Sequence, residues 1–162
     1  MMTGTQILVT YIISNLVAIA FLITSFKRKK LARILFAALF IWASYTNWSV
    51  ANNNPAFYLN YSKYAVAMYR NFILGPFSNH VSLIVSSIAI CQLFIGCGLL
   101  WKGVILKASY IAGIIFLLAI CPLGILSAFP SGLIWSAGLL MLYRHPSYKN
   151  ILSRKISISK AL

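Results

Sequence analysis

The chain of 162 residues contains no aspartate and no glutamate. Every mechanism that rests on a side-chain carboxylate is thereby excluded, including paired-carboxylate glycoside hydrolysis, a Ser-His-Asp triad, carboxylate-bridged metal pairs and EF-hand loops. Histidine and cysteine are also scarce, at two and three residues. His80 and His145 are expected on opposite sides of a membrane, which argues against a haem held between them. Cys91 and Cys97 lie six apart on different faces of one helix and Cys121 lies in another, so they read as small buried hydrophobes rather than a redox pair or a metal clip. No metal or haem is expected. What is abundant is apolar surface and positive charge: 61% hydrophobic residues and 14 Lys plus Arg, with a mean hydropathy of +0.88. That pairing points to a bilayer with basic flanks and not to nucleic acid.

The charges divide the chain into long uncharged stretches, each read against a hydrocarbon core of about 30 Å. Crossings are expected at about 7–26, 34–51, 81–101, 108–127 and 131–143. The uncharged run from Ala108 to Tyr143 is too long for one helix, and Ser127-Ala128-Phe129-Pro130-Ser131-Gly132 carries turn chemistry, so it reads as a hairpin. Pro122 then kinks the fourth crossing; a turn at Pro122 and Gly124 is the alternative. Residues 55–74 read as an amphipathic helix lying in the membrane interface, capped by Asn54 with Pro55 in its first turn. A re-entrant or partly buried loop helix is the other reading. Residues 1–148 form a single membrane domain, and 149–162 a basic cytoplasmic tail.

Orientation follows from the cations. With Lys27, Arg28, Lys29, Lys30 and Arg33 on the cytoplasmic side, alternation places Lys102, Lys107, Arg144, Lys149, Arg154, Lys155 and Lys160 there too. Only Lys63 and Arg70 fall outside, as the positive-inside rule requires. The first segment lacks a basic leader and a small-residue cleavage site, so it reads as a crossing and not a signal peptide.

Polar residues within this apolar frame are the functional candidates. Ser82, Ala89, Gly96 and Gly103, spaced by seven, make a small-residue seam on which a second helix can approach closely. Gln92 lies beside that seam near mid-membrane and reads as an interhelical clasp or a ligand contact. Tyr69, Arg70, Asn71 and His80 cluster around Gly75-Pro76. Arg70 has no carboxylate side chain to meet, so lipid phosphate, carbonyls, a ligand or another protein must answer it. A cleft for an amphipathic molecule such as a quinone is the sharper reading of this cluster.

The stretch Gln92-x-x-x-Gly96-x-Gly98-Leu99-Leu100-x-x-Gly103 resembles the second-helix pattern of the DoxX-like membrane proteins. Arg33-Ile34-Leu35-Phe36 and Phe129-Pro130-x-x-Leu133-Ile134 are similar to that family's first-helix start and final hairpin. The resemblance covers about residues 33–143. It implies an all-α polytopic transmembrane bundle, with a four-helix core, one added N-terminal helix and the interfacial helix. It also implies a small membrane subunit or accessory protein linked to quinone-dependent redox metabolism, with another membrane or redox protein as partner. Gln92 stands where family members often carry glutamate, which removes a proton-linked role at that position. A structural or assembly partner and a small-molecule transporter are the competing classes, and catalysis by the isolated chain is not expected. Oligomerisation is compatible with all three. Reporter fusions at the two ends should place the N-terminus outside the cell membrane and the C-terminus in the cytoplasm; both ends on one side would refute five crossings.

Overall fold

A computed structural model of the protein describes residues 4–125, 127 and 129–145. Among these residues every regular element is helical. The α-helices are α1 (Gly4–Lys27), α2 (Lys29–Asn53), α3 (Ala67–Phe72), α4 (Val81–Leu100), α5 (Gly103–Ile120) and α6 (Ser131–Arg144). Four segments, Thr5–Lys27, Lys29–Asn53, Val81–Leu100 and Gly103–Leu123, are long and apolar enough to cross a membrane. The fifth expected crossing is α6, with 14 residues. At about 21 Å it is shorter than a hydrocarbon core, and its packing rather than its length places it.

Apolar residues at three- and four-residue spacing give each long helix one inward face. On α2 that face carries Ala32, Phe36, Ala37 and Phe40; on α4 it carries Val81, Val85, Ala89, Ile95 and Leu99. Packed together, the five longer helices close a ring: α1 on α2, α2 on α4, α4 on α5, α5 on α6, and α6 back on α1. Contacts along the ring fix the directions. Gly113 of α5 faces Leu139 and Tyr110 meets Tyr143, so α5 and α6 are antiparallel. Phe21 meets Trp135 while Ser25 faces Gly138, so α1 and α6 are parallel. Phe36, Phe40, Leu99, Leu106, Tyr110, Leu117, Leu139 and Leu142 fill the centre.

The small-residue seam sits on the α2–α4 interface. Ala89 is buried and its carbonyl accepts a hydrogen bond from Ser44 Oγ at 2.6 Å. A Cβ on Gly96 would lie 2.7 Å from Ile41 Cγ1 and 3.1 Å from the Ala37 carbonyl, so only glycine permits this approach. Gly103 departs from the expected seam. It begins α5 with φ +66 and turns the chain between α4 and α5.

Two boundaries differ from the sequence reading. Residues 55–74 are not one helix. A 3-10 helix (Pro55–Lys63), α3 and a π-turn (Ile73–Phe77) follow one another, with Tyr58, Ala65, Ile73 and Phe77 buried. The segment folds back over the bundle end because its apolar residues meet Ala51, Val81 and Val85 there. It therefore matches the partly buried alternative better than a helix lying flat on the surface. Likewise α5 ends at Ile120, and Cys121–Leu123 form a 3-10 turn closed by Gly124. The hairpin thus begins at Pro122 and not at Ser127. Gly124 has φ +81, and a Cβ there would run into the Tyr64 carbonyl. The expected basic tail, 149–162, lies outside the described residues.

Arg33 is the main correction to the charge map. Counted in sequence with the exposed cations, it is 1% exposed and the largest fully buried side chain among the described residues. It shares the inward face of α2 with Phe36, Ala37 and Phe40. Its Nε donates to the Leu99 carbonyl at 2.6 Å, and Nη2 to those of Leu100 (3.2 Å) and Trp101 (2.7 Å). These are the last carbonyls of α4, which have no partner within their helix and carry the negative end of its dipole. Arg33→Met should destabilise the protein by about 2–4 kcal/mol, since it removes charge-assisted bonds and leaves buried carbonyls unpaired. Arg33→Lys should fall between, because an ammonium cannot reproduce the guanidinium fork. Equilibrium unfolding in detergent measures this, and wild-type stability in Arg33→Met would remove the clamp from the account.

Candidate functional site

The end of the bundle opposite Arg33 encloses a cavity of about 550 Å³. Its walls come from the ring: Leu39, Phe40 and Trp42 of α2, Ile84 and Ile88 of α4, and Phe116 and Ile120 of α5. Trp135 of α6 closes the inner side, and Tyr58, Tyr61, Tyr69, Phe72, Ile73 and Phe77 of the 55–77 segment form the cover. Trp42 and Phe72 remain 65% and 48% exposed at the rim, so the cavity has an apolar mouth on the side of the bundle.

Backbone contacts hold the cover in place. Val66 N–H donates to the Pro122 carbonyl at 3.1 Å, and the Tyr69 hydroxyl donates to the Ala119 carbonyl at 2.8 Å. Both acceptors lie at the end of α5, where carbonyls lack intrahelical partners. Glycine at position 124 lets this junction close.

One polar chain interrupts the apolar lining. The Tyr58 hydroxyl donates to Asn47 Oδ1 at 2.9 Å, and Asn47 Nδ2 donates to Gln92 Oε1 at 2.7 Å. Gln92 is 3% exposed and borders the cavity. Its Nε2 makes no hydrogen bond among the described residues. Trp135 Nε1 is a buried donor without a partner among the described residues. Burial pushes the Tyr58 phenol up to about 12, with Tyr61 adding to the shift, and burial raises Tyr61 as well. Tyr58 therefore remains a neutral donor throughout the physiological range.

The residues singled out in sequence separate into two groups. Tyr69 and Gln92 line the cavity. Arg70, Asn71 and His80 are exposed and do not border it. Arg70 finds an acceptor in its own chain, since its Nε donates to the Ser62 carbonyl at 3.0 Å. His80 immediately precedes α4, and its carbonyl accepts from Ile84 N–H. Asn47, Tyr58 and Trp135 were not singled out. A signal for Asn47 was present: Ser44 and Asn47, three residues apart within an apolar crossing, mark one polar stripe on α2.

The lining carries no Lys, Arg or His, and no three metal-ligating side chains cluster among the described residues. Cys91 and Cys97 are exposed on α4, whereas Cys121 is buried and its thiol contacts the Leu117 carbonyl at 3.1 Å. The arrangement can enclose a flat apolar molecule and offer it hydrogen bonds. Comparison with protein families, curated proteins and solved structures gives no match to this chain.

The raised Tyr58 pKa has a pH signature. Because the folded value lies above the ordinary 10.0, its stabilising contribution is complete below pH 10 and is lost as pH rises through about 12. Difference absorbance titration of wild type against Tyr58→Phe should show one phenol ionising near pH 12. A midpoint near 10 would mean that the Tyr58 phenol is not buried beside Tyr61 as described.

Proposed function

We propose that the protein is an integral membrane binding unit that takes a lipid-soluble ring compound from the bilayer. The observation that carries this reading is the aromatic cavity entered from the side of the bundle and crossed by the Tyr58–Asn47–Gln92 chain. Its volume of about 550 Å³ lies within the range of small-molecule sites, which are mostly apolar with a few placed polar groups. A quinone has the flat ring, the carbonyl oxygens and the lipid solubility that such a site rewards. This agrees with the resemblance to DoxX-like proteins and with a role as a membrane subunit or accessory protein in quinone-dependent metabolism.

Placement in the cell membrane follows from charge. The helix directions put Lys27–Lys30, Arg33, Lys102, Lys107 and Arg144 at one end, with Lys63 and Arg70 at the other. With the basic end cytoplasmic, the cavity occupies the outer half of the bilayer and the 55–77 segment lies at the outer interface. The short α6 is read as a crossing completed by its flanking residues. The cations at the basic end can meet anionic headgroups.

Protein isolated in native lipid discs and extracted with organic solvent should yield a ring compound in near-stoichiometric amount. A benzoquinone probe should also quench tryptophan emission saturably, through Trp42 and Trp135 at the cavity. Extracts holding only bulk phospholipid, together with non-saturable quenching equal to that of free tryptophan in lipid, would overturn the reading.

A further inference from the structure

The run Lys27-Arg28-Lys29-Lys30 joins α1 to α2, and Arg33 follows about one turn into α2. Arg33 points inward to the α4 carbonyls and is 1% exposed. The four cations before it face outward and, with Phe26, Leu31 and Ile34, line an open groove of about 650 Å³. Lys27, Arg28 and Lys30 are exposed and Lys29 is half-buried. No side-chain carboxylate of the chain can answer them, because the sequence has none. The three apolar members of the lining are also open, at 59%, 41% and 37% exposure. None of these residues lines the cavity under the 55–77 segment, so the two places are separate.

We propose that this groove holds one anionic phospholipid, its phosphate among Lys27–Lys30 and the start of an acyl chain against Phe26, Leu31 and Ile34. Four adjacent positive groups repel one another, and a phosphate among them offsets that repulsion. The Arg28 guanidinium can grip two phosphate oxygens at once, while the lysines act as point charges. Cations alone would suit any soluble anion. The apolar side chains beside them are what select a lipid, whose first methylenes follow directly from its charged head. A volume of about 650 Å³ lies in the range of small-molecule sites and admits a headgroup with the first part of a chain. General attraction to an anionic surface would treat every cation at this end of the bundle alike. The groove does not, since Lys102 and Lys107 stand at the same end and do not line it.

Native mass spectrometry of the full chain in detergent counts the lipids bound per protein. It is titrated with phosphatidylglycerol or with phosphatidylcholine of the same acyl chains. Wild type should take up one phosphatidylglycerol in a saturable step, well before phosphatidylcholine. Lys27→Gln/Lys30→Gln should weaken that first step about twentyfold, the effect of two cations at a surface. Lys102→Gln/Lys107→Gln removes the same charge from the same end, and should change it by no more than about twofold in physiological salt, where distant exposed charges are screened. Excess glycerol 1-phosphate should not displace the lipid, because it lacks the chain that the apolar wall receives. The comparison of the two lipids is made on wild type and does not depend on either variant folding. Equal uptake of both lipids by wild type, or equal loss in the two double variants, would overturn the site in favour of diffuse attraction. Displacement by glycerol 1-phosphate would overturn the lipid as its occupant. None of these outcomes touches the reading of the 55–77 cavity.

Discussion

A guanidinium buried in a protein without a single carboxylate side chain has to be answered by backbone. Arg33 is answered by the C-terminal carbonyls of α4, where a helix has orphan acceptors and a partial negative charge. The bond joins the first turns of α2 to the last turn of its neighbour α4, so it helps set the antiparallel register of the two. Moving along that interface from the clamp, Gly96 meets Ala37 and Ile41, Ser44 meets the Ala89 carbonyl, and Asn47 meets Gln92. A shift of either helix by one turn, about 5.4 Å, would break all four together. The polar chain at the cavity is thus positioned by a cation at the other end of the bundle.

The two ends are built for different purposes. Around Arg33 the side chains of Phe36, Leu99, Leu106, Leu139 and Leu142 are almost wholly enclosed. In lipid such packing has no solvent-driven advantage, and close van der Waals contact between small and large residues supplies the association. At the cavity end the 55–77 segment covers the bundle with short turns interrupted at Gly75, whose φ and ψ are not helical. It is attached by hydrogen bonds to the end of α5 and by Tyr58, Ala65, Ile73 and Phe77, which are buried against Ala51, Val81 and Val85.

The all-helical character and four of the long apolar segments were legible in sequence, because long uncharged runs bounded by cations or by Asn-Pro have few other solutions. The 55–77 segment was not. Its spacing of aromatic and polar residues fits a surface helix, but Pro76, Gly75 and the receiving surface on Ala51, Val81 and Val85 break it and draw it inward. Such a surface exists only after the chain has folded. Arg33 was misplaced because charge alone assigned it to the basic turn; its three- and four-residue spacing to Phe36 and Ala37 already put it on the core face. Gln92 was legible as a buried amide, since a lone polar group beside a small-residue seam has to point inward. Its partner Asn47 shares a polar stripe with Ser44, a spacing that the intervening Tyr45 and Thr46 obscure in the sequence.

The Tyr58 hydroxyl faces two acceptors on Asn47, the side-chain oxygen at 2.9 Å and the backbone carbonyl at 3.3 Å. An amide pair such as Asn47 and Gln92 can transmit a hydrogen bond in either direction, and nothing in the pair itself fixes which atom faces the cavity. A phenol whose ionisation burial has pushed up to about 12 remains a donor under all ordinary conditions. It claims the Asn47 oxygen, Asn47 then claims the Gln92 oxygen, and an N–H is left at the cavity wall. Aligned bonds polarise one another, so each link strengthens the last donor. A carboxylate in place of Gln92 would have offered the opposite sign and a proton to exchange. With the amide, the chain ends in an uncharged group, and the cavity lining holds no carboxylate, imidazole or thiol.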